Sequence, residues 1–153
     1  MTEEGGPLPE GDPGNLLIQI DGASKGNPGP AGIGVILISD SGEVHEISEY
    51  VGVATNNVAE YLALLTALEE ALIRGVKRLA IQTDSELLAK QINREYNVKS
   101  QNLRFLFRRA RRLMAGFEEI TVSYIPREQN TRADMLAQEA VPLSGKQSDF
   151  FRA

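Results

Sequence analysis

A chain of 153 residues, 42% of them apolar, is long enough for one domain with a buried core, and it has no apolar run of the ~20 residues that a bilayer span needs. The absence of cysteine excludes disulfides and thiolate metal sites, and no basic-then-apolar segment opens the chain, so a soluble, cytoplasmic protein without a membrane partner is expected. The net charge of −5 is uneven: four of the 21 acids (Glu3, Glu4, Glu10 and Asp12) lie in the first 14 residues, which leaves 17 acids against 16 bases.

Residues 1–14 are rich in Gly, Pro and Glu and read as a disordered acidic tail. Leu16–Ile20 reads as a buried strand closed by the turn signal Asp21-Gly22, and a Gly/Pro-rich loop follows. Ile33–Ser39 and Val44–Val53 read as two strands joined through Asp40-Ser41-Gly42, a hairpin. From Asn57 the period becomes helical, with Tyr61, Leu64, Leu65, Leu68 and Leu72 on one face and a stop at Gly75. Leu79–Thr83 is a strand and Ser85–Asn93 a short helix. Leu103–Ala115 is a helix inside a basic patch: Lys99, Arg104, Arg108, Arg109, Arg111 and Arg112 fall in one stretch without an acid. Glu119–Ile125 alternates as a strand stopped by Pro126, and Thr131–Ala140 is a last helix ended by Pro142. The order βββαβααβα predicts an α/β fold, a mixed sheet with helices on its faces, over residues 15–141, with a tail over 142–153.

Four carboxylates stand where function is a natural reading. Asp21 and Asp84 end strands; Glu60 and Asp134 lie in the first turns of helices. Strand ends and helix starts can converge at one edge of a sheet, and an oxygen-only cluster suits Mg²⁺. Each also has an ordinary structural reading. Asp21 before Gly22 suits a turn; Glu60 with Asn57, and Asp134 with Thr131, suit capping boxes; Asp84 suits a helix cap. Spacing alone does not show that the four meet.

The flanking residues decide between these readings. IDGASKGNPGPAGIGVIL resembles the first strand and loop of type 1 ribonucleases H, and TNNVAEYLALLTALEEAL resembles that family's first helix. IQTDSELLAKQI is similar to the strand with the third carboxylate, and REQNTRADMLAQEA to the final loop and helix with the fourth. The four motifs occur in the family's order across roughly residues 15–141. The resemblance implies a five-stranded ribonuclease H-like sheet, three antiparallel strands then two parallel. It implies a monomeric endonuclease that hydrolyses the RNA strand of an RNA–DNA hybrid by two-metal-ion catalysis, leaving 5′-phosphate and 3′-hydroxyl ends. Asp21, Glu60, Asp84 and Asp134 would bind two Mg²⁺, with Mn²⁺ as a substitute. Gly22, Asn27, Asn56 and Asn57 would meet the substrate, and Thr55 a DNA phosphate. Amides that both donate and accept suit the 2′-hydroxyls displayed on a hybrid's minor groove. The structural alternatives are a turn for Asn27 and a helix cap for Asn56 and Asn57.

Two departures from the family stand out. Many members insert a basic protrusion with tryptophans and lysines after the third-carboxylate helix; here only NREYNVKSQN follows, with no tryptophan, so the arginine-rich helix is expected to take over part of the phosphate binding. Many members also carry a histidine before the final helix. Here Arg127 occupies that loop and is expected to hold the scissile phosphate or help the product leave. The one histidine, His45, falls in the hairpin region and reads as a surface residue.

Overall fold

The computed structural model describes residues 14–142. The acidic tail up to residue 13 and the C-terminal tail from residue 143 lie outside the described residues. The elements are β1 (Asn15–Ser24), β2 (Gly29–Ser39), β3 (Val44–Ala54), α1 (Asn56–Ile73), β4 (Arg78–Thr83), α2 (Glu86–Ile92), α3 (Gln101–Met114), β5 (Glu119–Tyr124) and α4 (Thr131–Ala140), with a 3₁₀ turn at Arg127–Gln129. The strands form one sheet in the order β3-β2-β1-β4-β5. β1, β2 and β3 pair antiparallel; β1 with β4 and β4 with β5 pair parallel. This is the expected α/β architecture. No helix among the described residues is long and apolar enough to cross a membrane.

Strand alternation sorts the side chains onto two faces. Ile18 and Ile20 of β1, Ile33, Val35 and Leu37 of β2, and Ile81 of β4 join the main core with α1, α2 and α3. Ile36 and Ile38 belong to a smaller cluster with Ala133 and Leu136 of α4. The sheet is therefore covered on both sides. Leu64 and Leu68 of α1 are fully buried, each contributing about 1.5–3 kcal/mol of transfer free energy. α4 lies so close that a Cβ on Gly34 would sit 2.7 Å from the Ala137 amide. Only glycine permits that approach.

Helix ends follow local chemistry. Thr55 caps α1, its Oγ1 accepting from the Val58 N–H at 3.2 Å, and Ser85 and Ser100 cap α2 and α3 in the same way. After the α1 C-cap Arg74, Gly75 adopts φ +76° and lets the chain turn out.

The Asp21-Gly22 pair corrects the expectation of a turn. β1 continues through it to Ser24, with Asp21 opposite Gly34 and Gly22 opposite Ile33 of β2. β2 likewise starts at Gly29, so the expected Gly/Pro-rich loop shrinks to Lys25–Pro28. Gly22 serves close packing instead: a Cβ there would lie 2.6 Å from the Glu60 amide. α1 crosses β1 backbone to backbone at this point.

Candidate functional site

β1 is longer than its parallel neighbour. The β1–β4 ladder ends at Ile20 and Thr83, so Asp21 and Asp84 are the next residues of two adjacent parallel strands. α1 passes over Gly22 and brings Glu60, whose Oε1 accepts the Gly22 N–H at 3.1 Å. Carboxylate oxygens of Asp21, Glu60 and Asp84 lie within 4.8 Å of one another. Asp134, in the first turn of α4, lines the same cleft of about 400 Å³ together with Gly22, Asn56, Asn57 and Arg127.

The ordinary structural readings of the four acids do not match these positions. Thr55, not Asn57, caps α1; Ser85, not Asp84, caps α2; no side chain caps α4. What the cluster does instead is store repulsion. Asp21 and Glu60 are 4% and 6% exposed. Burial, then the neighbouring carboxylates, holds the Asp21 carboxyl far above the usual range; burial and the Asp84 charge raise Glu60, against the opposing Gly22 hydrogen bond. An all-oxygen set that resists its own negative charge fits a hard divalent cation, which would offset both burial and repulsion.

The other predicted residues divide. Asn56 and Asn57 face the cleft. Asn56 also works structurally: its Oδ1 accepts the Ser24 N–H at 3.1 Å, and its own N–H donates to Asn27 Oδ1 at 2.9 Å. Asn27, before a cis peptide to Pro28, thus ties the β1–β2 loop to α1 through its side-chain oxygen, while the residue stays exposed. Thr55 caps α1 with its Oγ1 and borders a neighbouring, mostly apolar groove with Phe105 and Val53. Arg127 is 73% exposed, its Nη2 3.6 Å from Asp134 Oδ1. His45 lies on β3 opposite Leu37, outside the cleft lining.

Ser24, Ser85 and Gln138 also line the cleft and were not singled out from the sequence. Gln138 could have been: it stands one helical turn after Asp134, so both share a face. The basic patch is less uniform than its sequence suggested. Arg104 donates to the carbonyls of Val98 and Lys99, Arg111 to that of Ile92, and Arg109 pairs with Glu69 at 2.8 Å. Arg111 is therefore turned towards α2, and Arg108 and Arg112 are left exposed.

Comparisons with known proteins agree with this geometry. Residues 19–140 match the family model described as reverse transcriptase-like. A ribonuclease HI of Halobacterium salinarum is 43% identical over 84% of this chain and 65% of its own length. A bifunctional protein of Mycobacterium tuberculosis is 37% identical over 86% of this chain, which spans only 36% of that relative. The crystal structure of the Halobacterium salinarum RNase H1 superposes with TM-score 0.80 at 42% identity, over 83% of this chain and 97% of that one. LC11-RNase H1 in complex with an RNA/DNA hybrid superposes with TM-score 0.78 at 39% identity, covering 82% and 96%. The chain belongs to the reverse transcriptase-like family and to the type 1 ribonucleases H.

Proposed function

We propose that the chain is an endoribonuclease that hydrolyses the RNA strand of an RNA–DNA hybrid, with Asp21, Glu60, Asp84 and Asp134 holding two divalent cations, Mg²⁺ by preference and Mn²⁺ as a substitute. The observation that carries this reading is the carboxylate cluster itself, with oxygens of three acids within 4.8 Å of one another just beyond the end of the β1–β4 ladder. Bound there, the cations would lower the pKa of the attacking water and offset charge on the phosphate and on the leaving 3′-oxygen, giving 5′-phosphate and 3′-hydroxyl ends.

The chain's own residues supply position. Asp21 and Asp84 are fixed by adjacent strands, Glu60 by α1 pressed onto Gly22, and Asp134 by α4 pressed onto Gly34. Asn56 and Asn57 on the cleft wall suit the 2′-hydroxyls of a hybrid's minor groove. The Arg127 guanidinium has N–H donors and no acceptor, so it takes no proton from water. Its planar fork, exposed at the cleft rim, suits a phosphate oxygen pair. The hybrid bound in the LC11-RNase H1 structure supports the choice of substrate.

The deciding experiment incubates the protein with a uniform RNA–DNA hybrid and with duplex DNA of the same sequence, with Mg²⁺ or with EDTA. Cleavage of the RNA strand alone, and only with the cation, is expected. Equal cutting of duplex DNA would overturn the substrate assignment, and cutting in EDTA the metal assignment.

A further inference from the structure

Asn130 has no exposed surface, although Gln129-Asn130 before the last helix reads as a loop. Its Nδ2 donates to the carbonyl of Ile20 at 2.9 Å, and its Oδ1 has no hydrogen-bond partner among the described residues. A buried oxygen left unpaired costs about 1–3 kcal/mol. An apolar side chain of similar volume would remove that cost but would leave the Ile20 carbonyl without this donor, so the two effects largely offset and stability gives asparagine little advantage.

What asparagine supplies is a set of connections. The β1–β4 ladder ends at Ile20 and Thr83. Beyond that pair Thr83 spends its groups locally: its carbonyl accepts from the Ile125 N–H at 2.8 Å, and its Oγ1 from the Ser85 N–H at 3.0 Å. The Asn130 amide takes the place of a missing strand at the peptide that joins Ile20 to Asp21. Through its backbone the same residue accepts the Asp134 N–H at 3.1 Å and donates to the Arg127 carbonyl at 2.9 Å. One buried residue thus links three places: its side chain holds the peptide carrying Asp21, and its backbone holds the first turn carrying Asp134 and the turn carrying Arg127.

We infer that Asn130 is a positioning residue, whose side-chain amide sets the separation of Asp21 from Asp134 and hence the shape of the cation site. It acts through backbone and touches neither carboxylate. The inference rests on the hydrolase reading for the purpose of the site, while the contacts stand independently of it.

The test compares the parent with Asn130→Leu, which fills a similar volume while removing both the donor and the unpaired oxygen. Asn130→Ala is the second variant, in case leucine disturbs the packing. Three readouts are taken: thermal stability, Mg²⁺ affinity of the free protein by calorimetry, and kcat and KM on the hybrid. A folded variant is expected to lose about 10–100-fold in Mg²⁺ affinity and in kcat, with KM changed by less than about twofold. A purely structural asparagine would move the melting temperature alone. Parent-like Mg²⁺ affinity and kcat in a folded variant overturn the proposal, whatever the melting temperature does. A parent that binds Mg²⁺ but leaves the hybrid intact sinks the hydrolase reading, and the affinity comparison then decides the role of Asn130. A parent that binds no Mg²⁺ overturns both.

Discussion

Two regions of this molecule concentrate charge of one sign, and they are built in opposite ways. In the cleft, Asp21 and Glu60 are held nearly out of water beside Asp84 and Asp134. Among the described residues that line the cleft, the one basic group is Arg127, 3.6 Å from Asp134 and mostly exposed. On α3, five arginines between residues 104 and 112 reach solvent on at least one side, and three are already engaged by backbone carbonyls or Glu69. The acids are crowded with little compensation; the bases are spread, and three of the five have partners. Density of charge in a sequence therefore says little by itself. What marks a site is charge that the fold pays to hold and does not neutralise.

The sharpest way to break the contrast is to discharge the cleft. Asp84→Asn keeps shape and removes one ligand charge, so hybrid cleavage should fall by orders of magnitude. In EDTA the same variant should melt above the parent, because the Asp84 charge works against Asp21 and Glu60. A folded Asp84→Asn protein that still cleaves well would end the assignment.

A second prediction uses pH. The Asp21 and Glu60 carboxyls are raised in the fold, Glu60 to about 8, whereas in the unfolded chain they ionise near pH 4. Between those values unfolding releases protons, so the stability of the metal-free protein falls as pH rises from about 4 towards 8. Mg²⁺ should reverse this, raising the melting temperature more at pH 8 than at pH 5.5. Calorimetric scans with EDTA and with Mg²⁺ check it, and an equal Mg²⁺ effect at both values counts against cation binding by these acids.

Arg127→Ala should lower kcat by less than about a hundredfold, with partial recovery in Arg127→Lys. His45→Ala, on β3 and outside the cleft lining, should leave the pH–rate profile unchanged. Steady-state kinetics across pH on the three variants would show it. Smaller again, Asn57→Ala should cost about 0.5–1.5 kcal/mol in hybrid binding, measured with Ca²⁺ in place of Mg²⁺ to hold the hybrid uncut. The finest test returns to α3. Replacing exposed Arg108 and Arg112 should flatten the slope of log K against log salt by at most about two, while replacing Arg109 and Arg111 should not. Equal slopes for both pairs would erase the distinction drawn between spent and free arginines.

Much of this was readable in advance, for identifiable reasons. The sheet was legible because alternation, the Asp40-Ser41-Gly42 hairpin and the helical periods between later strands leave little freedom in topology. The carboxylates were legible through their flanking motifs rather than their spacing. Gly22 misled because Asp-Gly is a turn signal locally, whereas here the glycine answers to a helix 38 residues away at Glu60. Asn130 was invisible because a polar residue between Gln129 and Thr131 reads as exposed; its burial depends on the end of a β ladder far away in the chain. The 3₁₀ turn at Arg127–Gln129 is too short to leave a period.

The hairpin at Asp40-Ser41-Gly42 has a practical use. It follows Ser39, which pairs with Leu16 at the opposite end of β1 from Asp21, whose own partner is Gly34. Those β2 partners are five residue steps apart, about 17 Å at the usual rise. The tip is exposed, and the sequence contains no cysteine. A single Ser41→Cys substitution would therefore create a unique thiol for a fluorophore or a surface tether. A dye placed there would report on nucleic-acid capture, one molecule at a time, from a distance at which it does not obstruct the cleft.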